Sequence, residues 1–293
     1  MAKPQNLGAS LYVPTTHPDL SAIANGDKLG HLRSVIFCTE DAVSLHELTF
    51  ALANLAHTLA GMDRDRPVLR FVRVRNPHVL ALVLAMPGVE HLTGFVLPKC
   101  TRANFSAYFE LLQGTRHLIM PTLETVEVFD DLEMQRFRQL LQTPGIRERI
   151  LALRIGGNDL LALLGIRRPR NVTLYRTPLG SVISRLVVTF RPYGFLLTAP
   201  VFEHLDAPGL LDMEMAEDLA HGMVGKTAIH PDQVPLIERH YRVKTSDVEM
   251  ARCIMDTQSP AVFKMHGSMC EVATHRDWAQ SVVEQARMFG FGH

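Results

Sequence analysis

Cysteine is scarce in this chain. Cys38, Cys100, Cys253 and Cys270 are the four thiols in 293 residues, no two stand at C-x-x-C spacing, and none has a histidine at zinc-finger distance. That argues against a disulfide scaffold and against a structural zinc. An excess of one charge is missing too: Lys plus Arg is 30 and Asp plus Glu is 30. No net field favours nucleic acid or an anionic membrane, so any anion must be held by a local cluster. Long apolar runs are also absent. The longest, Val79 to Met86, is broken by Pro87 and Gly88 well short of a bilayer span, and the opening Met-Ala-Lys-Pro-Gln-Asn lacks the apolar core of a signal peptide. The expectation is a cytoplasmic protein with neither a membrane nor a nucleic acid as partner.

Several chemical signatures are missing as well. There is no Gly-x-Ser-x-Gly elbow, no P-loop, no His-Glu-x-x-His cluster and no Gly-x-Gly-x-x-Gly turn after the first apolar run. Serine hydrolysis, zinc or iron ligation and a dinucleotide fold are disfavoured accordingly. No motif recurs at a period of 20 to 50 residues, which removes solenoids and propellers.

What is present is an ordinary globular composition, 47% hydrophobic and 20% charged, in a chain long enough to bury a full core. Eight aliphatic or β-branched runs punctuate it: Leu11–Val13, Ser34–Cys38, Leu69–Val74, Leu92–Leu97, Leu118–Met120, Ile150–Ile155, Phe195–Ala199 and Thr227–Ile229. Most are followed by a helical period. Between Val43 and Ala60, for example, Leu45, Leu48, Leu52, Leu55 and Leu59 recur three or four apart. Alternating apolar strands and amphipathic helices call for a parallel sheet covered by helices. Eight such units match the ~250 residues of a closed barrel. The predicted class is α/β, a (β/α)8 TIM barrel over residues 1–242. Residues 243–293 are then a C-terminal helical extension with helices near Ser246–Asp256 and Arg276–Met288, packed on the barrel or on a neighbouring subunit.

In such a barrel, residues just beyond the carboxyl ends of the strands converge on one mouth. Here they are Glu40 and Asp41 after the second run, Arg73 and Arg75 on the third, Lys99 after the fourth, Glu124 after the fifth, Gly156, Gly157 and Asp159 after the sixth, and His230 after the eighth. Carboxylates at that density repel unless a cation sits among them, and a few oxygen ligands with room for water suit Mg²⁺. Glu124 and Asp159 are the expected metal ligands. Each residue has a plainer reading beside this one. Glu124 could be a solvated helix-terminal charge, Asp159 a helix cap, Arg73 or Arg75 a structural ion pair, Lys99 a solvated side chain, His230 a buried hydrogen-bonding residue, and Gly156-Gly157 a tight turn. The basic loop Ile166-Arg-Arg-Pro-Arg170 could grip a phosphate or simply be wet.

At these residues the chain resembles the citrate lyase β-subunit-like family, the Mg²⁺-dependent citryl-CoA and malyl-CoA lyases related to the HpcH/HpaI aldolases. The resemblance is carried in order by Leu11-Tyr-Val-Pro14, Phe37-Cys-Thr-Glu-Asp-Ala-Val43, Val72-Arg-Val-Arg-Asn-Pro77, Leu97-Pro-Lys99, Glu124-Thr125, Gly156-Gly-Asn-Asp-Leu160 and Gly225-Lys-Thr-Ala-Ile-His-Pro231. It implies a Mg²⁺-dependent carbon–carbon (oxo-acid) lyase acting on a 3-hydroxy acid or its coenzyme A thioester, giving a 2-oxo acid and an acetyl-type enolate. Glu124 and Asp159 would hold Mg²⁺, Glu40 and Asp41 would hold metal-bound water, and Arg73 would grip the carboxylate or enolate. Arg75, Lys99, Gly156 and Gly157 would join the substrate site. In Gly267-Ser-Met-Cys-Glu271, Glu271 resembles an acid that some members supply from a neighbouring subunit, which implies a homo-oligomer, a trimer or hexamer. The chain departs from the pattern at Cys38, where the family signature has Asp, and at Asn158, where Glu is common. It is similar to a divergent branch found in tellurium-resistance gene neighbourhoods. Two other functions stay open: a barrel that binds a metabolite or joins an assembly without turnover, and a pyruvate aldolase independent of coenzyme A.

Overall fold

Strands whose residues are apolar on both faces need cover on both sides, and each strand here is returned to its neighbour by a helical crossover. The computed structural model describes residues 3, 4 and 7–292. The order begins β1 (Gly8–Pro14), α1 (Leu20–Ala24), β2 (Ser34–Cys38), α2 (Leu48–Ala60), β3 (Leu69–Arg73), α3 (Pro77–Leu84), β4 (Gly94–Leu97) and α4 (Phe105–Leu111). It continues β5 (Leu118–Leu123), α5 (Asp131–Leu141), β6 (Leu153–Ile155), α6 (Gly157–Leu163), α7 (Pro178–Phe190), β7 (Leu197–Thr198), α8 (Pro208–Ala220) and β8 (Gly225–Ala228). Each of the eight predicted runs overlaps one of these strands.

All eight pair in parallel, in the order β7-β6-β5-β4-β3-β2-β1-β8, and a parallel bridge between Ala199 and Lys226 brings β7 against β8 to close the ring. The fold is the predicted TIM barrel. Local chemistry sets the helix starts. Asn76 Oδ1 accepts the Val79 N–H at the head of α3, and Thr177 caps α7 through Leu179 N–H, each with proline next in sequence. One start lies later than the spacing suggested. Ser44 and Glu47 close a capping box around a 3-10 turn, so α2 begins at Leu48 and leaves Leu45 74% exposed rather than on the buried face.

Side-chain alternation then fills the barrel by layers. Leu7, Ile36, Phe71, Val96, Met120 and Ala152 pack as the interior core, with Tyr12, Leu69 and Leu118 against them. Two residues further along β3, β5 and β6, the same inward face carries Arg73, Thr122 and Arg154. An apolar floor therefore ends in a polar layer at the carboxyl ends of the strands.

The outward face of β8 is unusual. Lys226 Nζ donates to Glu214 Oε1 at 3.0 Å and Asp218 Oδ2 at 2.8 Å, Arg168 NH1 to Glu214 Oε2 at 2.6 Å, and Tyr175 OH to Asp218 Oδ1 at 2.7 Å. Lys226, Glu214, Asp218 and Arg168 are all buried. The network ties β8 to α8, and it also takes up the basic loop considered above as a phosphate site: Arg168 is spent on Glu214, and Arg170 pairs with Asp206.

The chain divides into two compact units, Met1–Val234 and Pro235–His293. Later elements are α9 (Gln233–Glu238), β9 (Val243–Lys244), α10 (Thr245–Met255), β10 (Val262–Met265), β11 (Ser268–Glu271), α11 (Val272–Phe289) and β12 (Phe291–Gly292). In the second unit Ala251, Ile254, Cys270 and Ala279 form the centre of a small core. β10 and β11 make an antiparallel hairpin turning at His266 and Gly267, both at positive φ. Among the described residues no helix is long and apolar enough to cross a membrane.

Candidate active site

A cavity of about 340 Å³ opens at the carboxyl ends of the strands, lined by Tyr12, Asp41, Arg73, Thr122, Glu124 and Arg154 together with the Gly156–Asp159 turn, Thr227 and Ile229. Glu124 follows β5 and is buried, at 4% exposure. Its Oε1 accepts the Lys99 backbone N–H at 2.7 Å. Lys99 holds a left-handed φ of +45°, costly for a side-chain-bearing residue, and that geometry accompanies both this hydrogen bond and the aim of its ammonium. Lys99 Nζ lies 2.6 Å from Glu40 Oε1, 3.5 Å from Asp41 Oδ1 and 3.7 Å from Asp159 Oδ1. Its pKa is raised: burial opposes this, and the surrounding carboxylates outweigh it.

Arg73, at the end of β3, is similarly engaged. NH1 is 3.0 Å from Glu40 Oε2 and 3.3 Å from Asp41 Oδ2, Nε and NH2 approach Cys38 Sγ at 3.3 and 3.1 Å, and the guanidinium lies 4.8 Å from the Tyr12 ring centre. Burial lowers its pKa, but Tyr12, Cys38 and Glu40 raise it further, and it stays charged. Glu40 is pushed up by burial. Asp41 is held down: burial opposes this, and its hydrogen bond with Glu40 and the charges of Arg73 and Lys99 prevail. Glu124 is raised to about 7, chiefly by burial, with Asp159 adding repulsion.

Asp159 sits in the first turn of α6, and the two glycines before it are there for space. A Cβ on Gly156 would stand 2.2 Å from Glu124 Oε2, and one on Gly157 would stand 2.7 Å from the Pro200 ring. The turn can lie against Glu124 because these side chains are absent.

Glu40, Asp41, Arg73, Lys99, Glu124, Gly156, Gly157 and Asp159 are thus gathered around one opening. Arg75 is directed elsewhere. Its Nε donates to Thr39 O at 3.2 Å, and its NH2 to Glu40 O at 3.0 Å and to Val43 O, so it fastens the loop after β2. Glu271 ends β11 in the second unit, where Thr274 Oγ1 donates to its Oε2 at 3.1 Å. His230, expected to be buried, is exposed beside Asp232: β8 ends at Ala228, two residues earlier, and Ile229 and His230 are both on the surface. Several cavity residues, Tyr12, Thr122, Arg154 and Thr227 among them, escaped the sequence reading. Arg154 stands in the middle of the apolar Leu153-Arg-Ile155, and a charge inside such a strand is the signal that marks it; Thr122 carries no comparable signal.

Around Lys99 four carboxylates, Glu40, Asp41, Glu124 and Asp159, meet two cations, Arg73 and Lys99. Among the described residues no group of three or more His, Cys, Asp or Glu side chains forms a ready-made metal cage. The donor set fits a hard dication that takes two carboxylates and completes its shell with water and substrate oxygen, as Mg²⁺ does. A raised Glu124 beside a second acid is what such an ion would relieve.

Residues 1–291 match a family described as C-C bond lyase of the TIM-barrel fold. Among solved structures, the chain is similar to the protein CitE of Mycobacterium tuberculosis in complex with magnesium, acetoacetate and coenzyme A. There the identity is 20%, the TM-score 0.69, and the match covers 97% of this chain and 99% of that one. It is similar to the Haloferax volcanii malate synthase magnesium/glyoxylate complex at 16% identity and TM-score 0.66, over 79% of this chain and 74% of that one. A third is the citrate lyase beta subunit from M. tuberculosis complexed with oxaloacetate and magnesium, at 21% identity and TM-score 0.59, over 82% of this chain and 99% of that one. At these identities the structures speak for the fold. No curated protein matches the chain in sequence.

Proposed function

The chain belongs to the C-C bond lyase family of the TIM-barrel fold, and from that membership and the geometry above we propose that it is a Mg²⁺-dependent carbon–carbon lyase. Its substrate class is a 3-hydroxy acid or the corresponding coenzyme A thioester, cleaved to a 2-oxo acid and an acetyl-type product, or joined in reverse. The observation that carries this is the meeting of Glu124, which follows β5, and Asp159, in the first turn of α6, in one cavity with Arg73. The magnesium, oxo-acid and coenzyme A complexes of the similar proteins support the same reading.

Glu124 and Asp159 would hold the ion, whose contribution when bound is Lewis acidity and a fixed orientation for the substrate carboxylate. The protein's residues do the rest. Arg73 offers a charged fork at the cavity wall for the enolate oxygen, where charge grows as the bond breaks. Lys99 keeps Glu40 and Asp41 in place, and this pair, one held up and one held down, can pass a proton through water. Arg75 keeps the loop bearing them rigid. Gly156 and Gly157 bring backbone close enough to seat a carboxylate beside Glu124. We place Glu271 as an acid supplied by a second copy of the chain in a homo-oligomer; it is exposed on a hairpin that also exposes Val262 and Met269.

The test is a cleavage assay on 3-hydroxy acids and their coenzyme A thioesters, with magnesium and with chelator, reading 2-oxo acid release. The expected result is magnesium-dependent release that free coenzyme A inhibits if the thioester is the substrate. Cleavage unaffected by coenzyme A points to a free-acid aldolase. Magnesium uptake without cleavage of any such acid points to a barrel that binds but does not turn over.

A further inference from the structure

The cavity contains a charge that the proposed chemistry does not use. Arg154 lies on β6 with 2% exposure, so its guanidinium is removed from solvent. Its NH2 donates to Thr227 Oγ1 at 2.5 Å, and its guanidinium carbon is 5.5 Å from the centre of the Tyr12 ring. NH1 is buried with no hydrogen-bond partner among the described residues. Arg73, on the same ring, is neutralised by Glu40 and Asp41, and Lys99 by three carboxylates. Arg154 has no carboxylate within ion-pair distance among the described residues, although Asp41, Glu124 and Asp159 line the same cavity.

A guanidinium cannot shed its proton to escape this situation. A buried, unpaired charge is strongly unfavourable, and an aliphatic side chain at the same inward position would cost nothing comparable. Beside it stands a second unmet group. Thr122 pairs in register with Arg154 across β5 and β6, so the two side chains are neighbours on the inner face, and Thr122 Oγ1 is also buried without a partner. A guanidinium N–H and a hydroxyl, both unsatisfied, side by side and facing one cavity, make a receptor for a carboxylate.

Position defines the ligand further. Thr122 precedes Glu124 by two residues on the same face of the strand, which sets the Arg154 layer about 7 Å deeper than the level of Glu124. We propose that Arg154 and Thr122 bind a second carboxylate of the substrate, so that the enzyme takes a small dicarboxylic acid unit, four or five carbons long. One carboxylate would lie at the Glu124–Asp159 end and the other in the Arg154–Thr122 layer, just above the apolar floor. The assignment of the first carboxylate rests on the function proposed above; the second stands on Arg154 alone.

The experiment is equilibrium binding by calorimetry, with magnesium in excess, using acids that differ only in the second carboxylate: malate against lactate, and 2-oxoglutarate against 2-oxobutyrate. Wild-type protein should bind each dicarboxylate at least ~10-fold more tightly than its partner, the scale of one charge-assisted contact. Arg154→Met should bring the two within about threefold by weakening the dicarboxylate alone, Thr122→Val should do so partly, and Arg154→Lys should fall between. A wild-type protein that binds neither member of a pair, or both equally, overturns the proposal even if Arg154→Met does not fold. A preference that survives in Arg154→Met overturns it as well. Because binding is read without turnover, dicarboxylate selectivity in a protein that cleaves nothing would remove the lyase reading and leave this one standing. Cleavage of a monocarboxylate without selectivity would do the reverse.

Discussion

At the scale of single residues, Glu124 decides how the site responds to pH. Its carboxyl rises from 4.5 to about 7 because burial penalises the charged form. The native state therefore holds a proton that the unfolded chain has already lost between those two values, and the metal-free protein loses stability as pH climbs from 4.5 through 7. Thermal melts from pH 5 to 8 should show that decline in the metal-free wild type and a flatter profile in Glu124→Gln. Magnesium must displace the same proton, so its affinity should rise by ~10-fold per pH unit below 7 and level off above it, as titrations at successive pH values would show. Gly156→Ala is the companion test. The new Cβ would meet Glu124 Oε2 at 2.2 Å, so magnesium affinity should drop at least ~10-fold while circular dichroism stays native. The sequence made most of these side chains legible, because carboxylates and arginines at strand ends in a barrel point to one mouth. It did not separate Arg73 from Arg75. Both share strand-like parity, and only the path of the loop after β2 turns one towards carbonyls and the other into the cavity.

Elements show a different balance. The barrel strands were legible because continuous apolar runs have little else to form between helices, and each of β1 to β8 overlaps such a run, whereas the short strands β9 to β12 of the second unit carry no comparable apolar run. Helix starts were less so. Leu45 fits the apolar period of α2, but the Ser44–Glu47 capping box fixes the entry locally and puts it in solvent. The pairing of β8 with α8 was invisible, because Lys226, Glu214 and Asp218 look like ordinary charged residues until the barrel closes around them. Removing the lysine would leave buried Asp218 with no cation and only the Tyr175 hydroxyl, while Glu214 keeps Arg168. Lys226→Met is expected to destabilise the protein by about 3 kcal/mol or more, read as a lowered denaturant midpoint, whereas Lys28→Met, in an exposed pair with Asp19, should leave the midpoint nearly unchanged. Equal effects would show that the buried network adds nothing to the fold.

For the whole molecule, the barrel follows from eight strand-and-helix units in a chain of this length, and the family match over residues 1–291 agrees with it. The assembly is less legible, because the exposure of Val262 and Met269 on the β10–β11 hairpin is a property of the folded surface and not of the sequence pattern. If Glu271 serves the site of a second copy, Glu271→Gln should lower kcat without changing magnesium affinity. Mixing it with a Glu124→Gln chain, inactive for a different reason, should restore part of the activity. No recovery in mixed oligomers would place the proton donor elsewhere.

The account rests on Glu124 and Asp159 acting together, and calorimetric titration of magnesium into the wild type, Glu124→Gln and Asp159→Asn tests that most directly. The expected result is one site per chain in the wild type, lost in either variant, with cleavage falling at least ~100-fold in both. Unchanged magnesium uptake in either variant would contradict it.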